Sequence, residues 1–250
     1  MFDLDYPRLR RVVDEAKVAT LFVTVSGAHL YGFPSPDSDV DLRGCHQWPL
    51  RRCVGLNAPD ETIDRTFYDG DLQIDLVSHE VRKYFNLLVK NNGYVLEQIF
   101  SPLVVSGEDF LARLRPLAQR CITRFHYHHY RGFYGTQFKL LGKQEPKTAK
   151  ALLYAYRVLM TGIHLLRTGE VEAHIVRLNE SFRLPFIDDL IAQKVAEKAA
   201  PHALDWEFHQ QALSRLETEL DEAFAQSALP ETRDREAVNE FLVELRLGPA

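Results

Sequence analysis

Three aspartates have the spacing from which chemistry could follow. Asp39 and Asp41 are separated by one residue. On a strand, residues two apart share a face, so their carboxylates project together while Val40 and Leu42 point to the core. Two carboxylates side by side repel, and one would take up a proton unless a cation removed the cost. Oxygen-only ligands suit Mg²⁺ or Mn²⁺. Asp75 has the same character: Leu72, Ile74 and Leu76 alternate with Asp71, Gln73 and Asp75. If the two strands lie side by side, three carboxylates converge. Such a cluster suits two-metal phosphoryl transfer, in which one cation activates the attacking oxygen and the other holds a polyphosphate leaving group. The alternative is a turn aspartate and two exposed strand aspartates, although strand interiors are poor places for Asp.

Other polar residues are weighed against plain structural roles. Arg43 continues the Asp39/Asp41 face and reads as substrate contact or counter-charge. Lys147 and Lys150 open a helix of low acidity, as phosphate ligands or as a solvated first turn. His29 and Tyr31 contact base or sugar, or pack their loop. His126 and His129 have a metal-ligand spacing without a nearby carboxylate. Arg124 with His129 matches the weak R-x4-H pattern of small helical ribonucleases. No G-x-x-x-x-G-K-[ST] or dinucleotide fingerprint is present.

The elements that must position these residues follow from periodicity. Residues 5–17 read as a helix and 18–25 as a buried strand ending at Ser26-Gly27. A loop at 26–38 leads to a strand at 39–45, and 46–60 reads as connecting loop. Runs 62–68 and 71–77 flank Asp69-Gly70, a type I′ hairpin signal. Ser78 reads as the cap of a helix burying Val81, Tyr84, Phe85, Leu88 and Val89. A short helix runs to Phe100, and residues 101–107 join the halves. Helices are expected at 108–120, 121–141, 147–168, 185–199, 205–226 and 233–245, with Gly169 a C-cap. Pro146, Pro185, Pro201 and Pro230 fall at helix starts or between helices. The fold class is α/β (α+β): a small mixed sheet flanked by helices, then an all-helical region. The domains are expected at 1–105 and 106–250.

The chain has 250 residues, 46% hydrophobic and 26% charged. That is close to the globular average and excludes disordered, collagenous and coiled-coil classes. No stretch approaches the roughly 20 apolar residues of a membrane helix. The N-terminal MFDLDYPRLRR has no apolar signal region. Three scattered cysteines argue against a disulfide framework, and a reducing cytoplasm is the expected compartment. The net charge of -5 hides an asymmetry. Residues 106–168 carry 11 Lys/Arg against 3 Asp/Glu, whereas 169–250 carry 8 against 17. A cationic middle suggests a polyanion surface or helix faces that are merely solvated. Its aromatic, basic helix suits single-stranded nucleic acid.

The stretch SGAHLYGFPSPDSDVDLRG, with Asp75 downstream, resembles the DNA polymerase β-like nucleotidyltransferases. Within them it is similar to a group named for RNA repair, with the pattern G-S-x-x-Y-G then S-D-x-D-x-R-G. The likeness is sharp over 25–100 and weaker over 147–169. It implies a catalytic domain at 1–105 and a metal-dependent transfer of NMP from NTP to a hydroxyl, with an RNA 3′-end one acceptor. It implies that Asp39 and Asp41 hold both metals, and that Asp75 holds the catalytic one and helps deprotonate the acceptor. Ser26, Gly27, Ala28, Ser38, Arg43 and Lys150 are the nucleotide-binding candidates. Ala28 stands where the family has serine; backbone N–H groups of Gly27 and Ala28 remain as phosphate donors. Two readings stay open beside this one: a degenerate nucleotide-binding module, and nucleotidylation of a protein or small molecule.

Overall fold

A computed structural model describes residues 4–196 and 204–248. The element order is α1 (Tyr6–Glu15), β1 (Thr20–Val25), α2 (Gly27–Tyr31), β2 (Val40–His46), α3 (Leu50–Cys53), β3 (Thr62–Asp69), β4 (Leu72–Glu80), α4 (Val81–Leu88) and α5 (Gly93–Ile99). It continues with β5 (Val104–Ser106), α6 (Glu108–Gln119), α7 (His126–Lys143), α8 (Ala149–Thr168), α9 (Ile175–Phe182), α10 (Ile187–Ala196), α11 (Trp206–Gln226) and α12 (Arg235–Leu247). The expected α/β class holds: a mixed five-stranded sheet in the order β3-β4-β2-β1-β5, followed by helices.

Two compact units are formed. One comprises Met1–Leu30, Asp37–Cys121 and Thr232–Ala250; the other comprises Tyr31–Pro36 and Ile122–Glu231. The division expected at 105/106 falls inside the first unit, because β5, α6 and α12 pack with the sheet.

In the first unit, the side chain of Asp5 accepts the Arg8 N–H and starts α1, which buries Leu9, Val12 and Val13. These pack with Val23, Val25, Val40, Leu42, Ile74, Leu76 and Val105 from the sheet. Elsewhere in the unit Phe22 meets Tyr84 of α4 edge-on and stacks on Phe110 of α6. Phe241 of α12 stacks on both Phe85 and Phe110.

Parallel β2 and β4 are neighbours, while β1–β2, β1–β5 and β3–β4 are antiparallel. The hairpin forms, but one residue later than expected. Asp69 pairs with Leu72, so the connecting residues are Gly70 and Asp71. Of these only Gly70 has positive φ, at 58°. That is the type II′ pattern, with Gly at the first central position, and not type I′, which needs both residues left-handed. A turn at Asp69-Gly70 would have set Asp75 opposite Asp64; the actual register sets it opposite Thr66.

Other expectations are corrected. Ser78 is a strand residue whose hydroxyl meets His46 Nδ1 at 2.9 Å; Glu80 caps α4 by accepting the Arg82 N–H. Residues 104–106 are a sheet edge, too short for a periodicity to show. Within expected loops, α2 and α3 are single turns. The short α9 has no side-chain cap to announce it. The helix expected from 121 starts at His126. Gly169 does close α8, with φ 74° and its N–H on Leu165 O at 2.8 Å. Residues 1–3, residues 197–199 of the expected 185–199 helix, and Pro201 lie outside the described residues.

Candidate active site

The carboxylates occupy one region of the first unit. Asp39 is exposed immediately before β2. Asp41 and Asp75 are register partners on parallel β2 and β4. Their flanking residues Val40, Leu42, Ile74 and Leu76 are all buried, so the alternation read from sequence holds the aspartates on the opposite face. Burial raises the Asp41 pKa above its ordinary 3.8; Arg43 opposes this, while the negative charges of Asp39 and Asp75 add to it.

The carboxylates of Asp41 and Asp75 are also held by protein donors. Asp41 Oδ1 accepts from Arg43 Nη2 at 2.6 Å. Asp75 accepts from the Thr66 hydroxyl at 2.7 Å and from Gln73 Nε2 at 3.0 Å. Thr66 and Gln73 were not among the residues singled out from sequence. The signal for Thr66 was the hairpin register, legible only with the turn placed at Gly70-Asp71; that for Gln73 was the alternation that sets it on the same face of β4 as Asp75.

The turn after β1 closes against Asp41. Ser26 is buried and donates its N–H to Asp41 O at 2.8 Å. Gly27 is left-handed, with φ 60°, and a Cβ there would lie 1.9 Å from Asp41 Oδ2. Only glycine lets this backbone approach the carboxylate. Ala28 is buried, 8% exposed, so its methyl is held in packed surroundings and offers no hydroxyl. Ser38 precedes β2 and is half-buried.

No three His, Cys, Asp or Glu side chains among the described residues are already arranged as a metal-binding group. Asp41 Oδ1 accepts from Arg43, and the two oxygens of Asp75 accept from Thr66 and Gln73. The donor chemistry fits a hard divalent cation: the oxygens of Asp39, Asp41 and Asp75, with no nitrogen or sulfur ligand among them.

Lys150 lies in the second unit, exposed in the first turn of α8. Lys147 is held within its own unit by Gln144 O at 2.9 Å and Glu145 at 2.8 Å, over the Trp206 ring. His126 is buried, its Nδ1 within hydrogen-bond distance of Thr123. Arg124 grips the end of α11, donating to Phe224 O at 2.7 Å and lying over the Phe224 ring. It is accounted for structurally, and the R-x4-H match has no need of a ribonuclease.

The cationic middle of the sequence is largely spent on ion pairs. Arg113 meets Glu244, Arg115 Glu108, Arg120 Asp234, Arg124 Glu231, Arg131 Glu217, Lys147 Glu145 and Arg167 Glu219. Most of these acids come from the acidic C-terminal third. Lys139, Lys143 and Lys150 are exposed.

A polymerase β-type nucleotidyltransferase is the class that this mixed sheet and its aspartates suggest, and the sequence comparisons identify the family. The chain belongs to the RNA repair pathway DNA polymerase beta family, which it matches over residues 1–244. It is 33% identical over 157 residues to an uncharacterized protein of Methanocaldococcus jannaschii, covering 61% of this chain and 63% of that protein. It is 28% identical over 102 residues to an uncharacterized protein of Bacillus subtilis, covering 38% of each. The chain thus spans less than two thirds of the length of these relatives. A crystallised nucleotidyltransferase-like protein from Exiguobacterium sibiricum aligns with TM-score 0.35 and 14% identity, over 88% of this chain and 74% of that one. Among the described residues no helix is long and apolar enough to cross a membrane.

Proposed function

We propose that this protein transfers an NMP from an NTP to a hydroxyl acceptor, releasing pyrophosphate, with the chemistry centred on Asp39, Asp41 and Asp75. The observation that carries the reading is the Asp41–Asp75 register pair with the Gly27 turn closed against Asp41. Asp39 and Asp41 are assigned to hold the cations, and Asp75 to hold the one nearest the acceptor and draw the proton from its hydroxyl. Bound Mg²⁺ or Mn²⁺ would supply charge for the departing pyrophosphate and lower the pKa of the attacking hydroxyl. Backbone N–H groups of Gly27 and Ala28, with Ser26 and Ser38 beside them, are assigned to the triphosphate. The assignment of Lys150 to the triphosphate rests on the sequence resemblance. The domain roles follow: catalysis in the sheet-bearing unit, with the helical region in support.

An RNA 3′-end is the acceptor that the family's name favours. The charge of 106–168 adds little to that choice, because at least seven of its eleven cations are paired within the fold. A second reading, a nucleotide-binding module without turnover, is favoured by Ala28. The deciding experiment incubates the protein with each α-labelled NTP, Mg²⁺ or Mn²⁺, and an RNA pool. Label in RNA and metal-dependent pyrophosphate, both lost in Asp41→Ala, support transfer to RNA. Label in the protein itself or in a small molecule moves the acceptor; nucleotide binding without pyrophosphate selects the second reading.

A further inference from the structure

The guanidinium of Arg43 bridges the two aspartate-bearing strands. Nη2 donates to Asp41 Oδ1 at 2.6 Å, and Nη1 donates to Leu42 O at 2.9 Å and to Asp75 O at 3.0 Å. One permanent cation is thus fastened to the side chain of Asp41 and to the main chain of its register partner. Both terminal nitrogens have protein acceptors, and the side chain is 27% exposed. The second oxygen of Asp41 lies against Gly27.

We propose that Arg43 is a positioning residue, a built-in counter-cation that occupies Asp41 Oδ1 in the metal-free site and competes there with an incoming divalent cation. The inference rests on Asp41 being a metal ligand, as proposed above. Its physical basis is the negative charge of Asp39 and Asp75 acting on Asp41, which calls for a positive charge whether or not metal is present. An arginine supplies that charge at every physiological pH and cannot give up its proton. The carbonyl anchors hold the guanidinium when Oδ1 leaves it, so the exchange needs only a rotation of the Asp41 side chain. In this role Arg43 acts on the carboxylates and not on the nucleotide.

Mn²⁺ binding, followed by electron paramagnetic resonance without nucleotide, tests this on the wild type and on Arg43→Gln, Arg43→Ala, Arg43→Lys and Asp41→Asn. Removing a unit charge a few ångströms from a divalent cation should tighten Mn²⁺ binding about tenfold in Arg43→Gln and Arg43→Ala. Arg43→Lys keeps the charge and should stay near wild type. Metal-free NTP affinity should be unchanged in Arg43→Gln. Unchanged or weaker Mn²⁺ binding in Arg43→Gln, or a loss of metal-free NTP affinity, overturns the counter-cation role while leaving the metal site standing. Wild-type Mn²⁺ binding in Asp41→Asn overturns the metal-ligand reading itself, and this inference with it.

Discussion

Gly27 and Asp41 approach so closely that a methyl group on the glycine would sit 1.9 Å from the Asp41 carboxylate oxygen Oδ2. Both backbones are held: Gly27 opens the turn directly after β1, and the Asp41 main chain is fixed in the β2–β4 register. Gly27→Ala must therefore displace one or the other, and its φ of 60° adds backbone strain. Displacement of a reacting group by about 1 Å costs on the order of 100-fold in rate. The expected result is a fall of that size in pyrophosphate release together with a lowered Tm. Wild-type turnover in Gly27→Ala would place the chemistry elsewhere.

Asp41→Asn should abolish transfer and yet steady the metal-free fold at neutral pH. Burial raises the folded pKa of Asp41 above 3.8. The folded state therefore holds the proton more tightly than the unfolded chain, and stability is lost as pH rises through the folded pKa. Asn carries no such dependence. In EDTA, the Tm of Asp41→Asn minus that of wild type should grow as pH rises from 4 to 8, reaching about 2 °C for each kcal/mol relieved in a chain of this size. A difference that shrinks with pH would mean that Arg43 outweighs burial.

The site's strands were legible because their alternation is strict: buried Val40, Leu42, Ile74 and Leu76 leave Asp41 and Asp75 only one face to occupy. The adjacency of β2 and β4 was not, since a β2-β3-β4 order along the chain does not dictate the spatial order β3-β4-β2. Nor was the partner of Asp75, because Asp-Gly is so strong a turn signal that it hid the Gly70-Asp71 alternative. The charge asymmetry was legible, but its pairing was not. Composition sees eleven cations in 106–168 but not that Glu217, Glu219, Glu231, Asp234 and Glu244 return to meet several of them. The returning α12 is a long-range packing event, and no local pattern in residues 235–247 announces that Phe241 belongs against Phe85.

Lys150→Ala should raise the KM for NTP several-fold and leave Mn²⁺ affinity near wild type. Lys150 is exposed at the start of α8 and is assigned, by the sequence resemblance, to the triphosphate. Its removal should therefore act on the substrate's phosphates and not on the cation. Steady-state kinetics beside Mn²⁺ titration separates the two, and an unchanged KM would withdraw Lys150 from the site.

Acid should loosen the helical unit through His129. Burial, helped by the positive charge of Arg157, lowers its pKa from 6.5 to about 4. The unfolded chain binds the proton first, so stability is intact above pH 6.5 and falls as pH drops toward 4. The loss approaches about 3 kcal/mol at the lower end, since each pKa unit is worth 1.36 kcal/mol. His129→Gln should flatten this part of the Tm–pH curve; an unchanged slope would mean that other groups carry it.

The last prediction concerns the ion pair that fastens α12 to the sheet. Arg246 donates to Glu80 and, at 2.7 Å, to Trp48 O, while Glu80 also accepts the Arg82 N–H that starts α4. The two side chains are 11% and 6% exposed. Removing one leaves a buried charge uncompensated, which costs about 3–5 kcal/mol. Arg246→Ala should therefore lower the Tm by roughly 10 °C, at 2–4 °C per kcal/mol. Arg113→Ala removes an exposed ion pair between α6 and the same helix, and should cost no more than about 1 kcal/mol from that pair. Because Glu80 ends the strand that carries Asp75, loss of Arg246 should also slow transfer at temperatures well below the Tm. Arg246→Met combined with Glu80→Gln removes both charges and should recover much of the stability. A double variant no more stable than Arg246→Ala would show that the apolar contacts of α12, and not the ion pair, hold it in place.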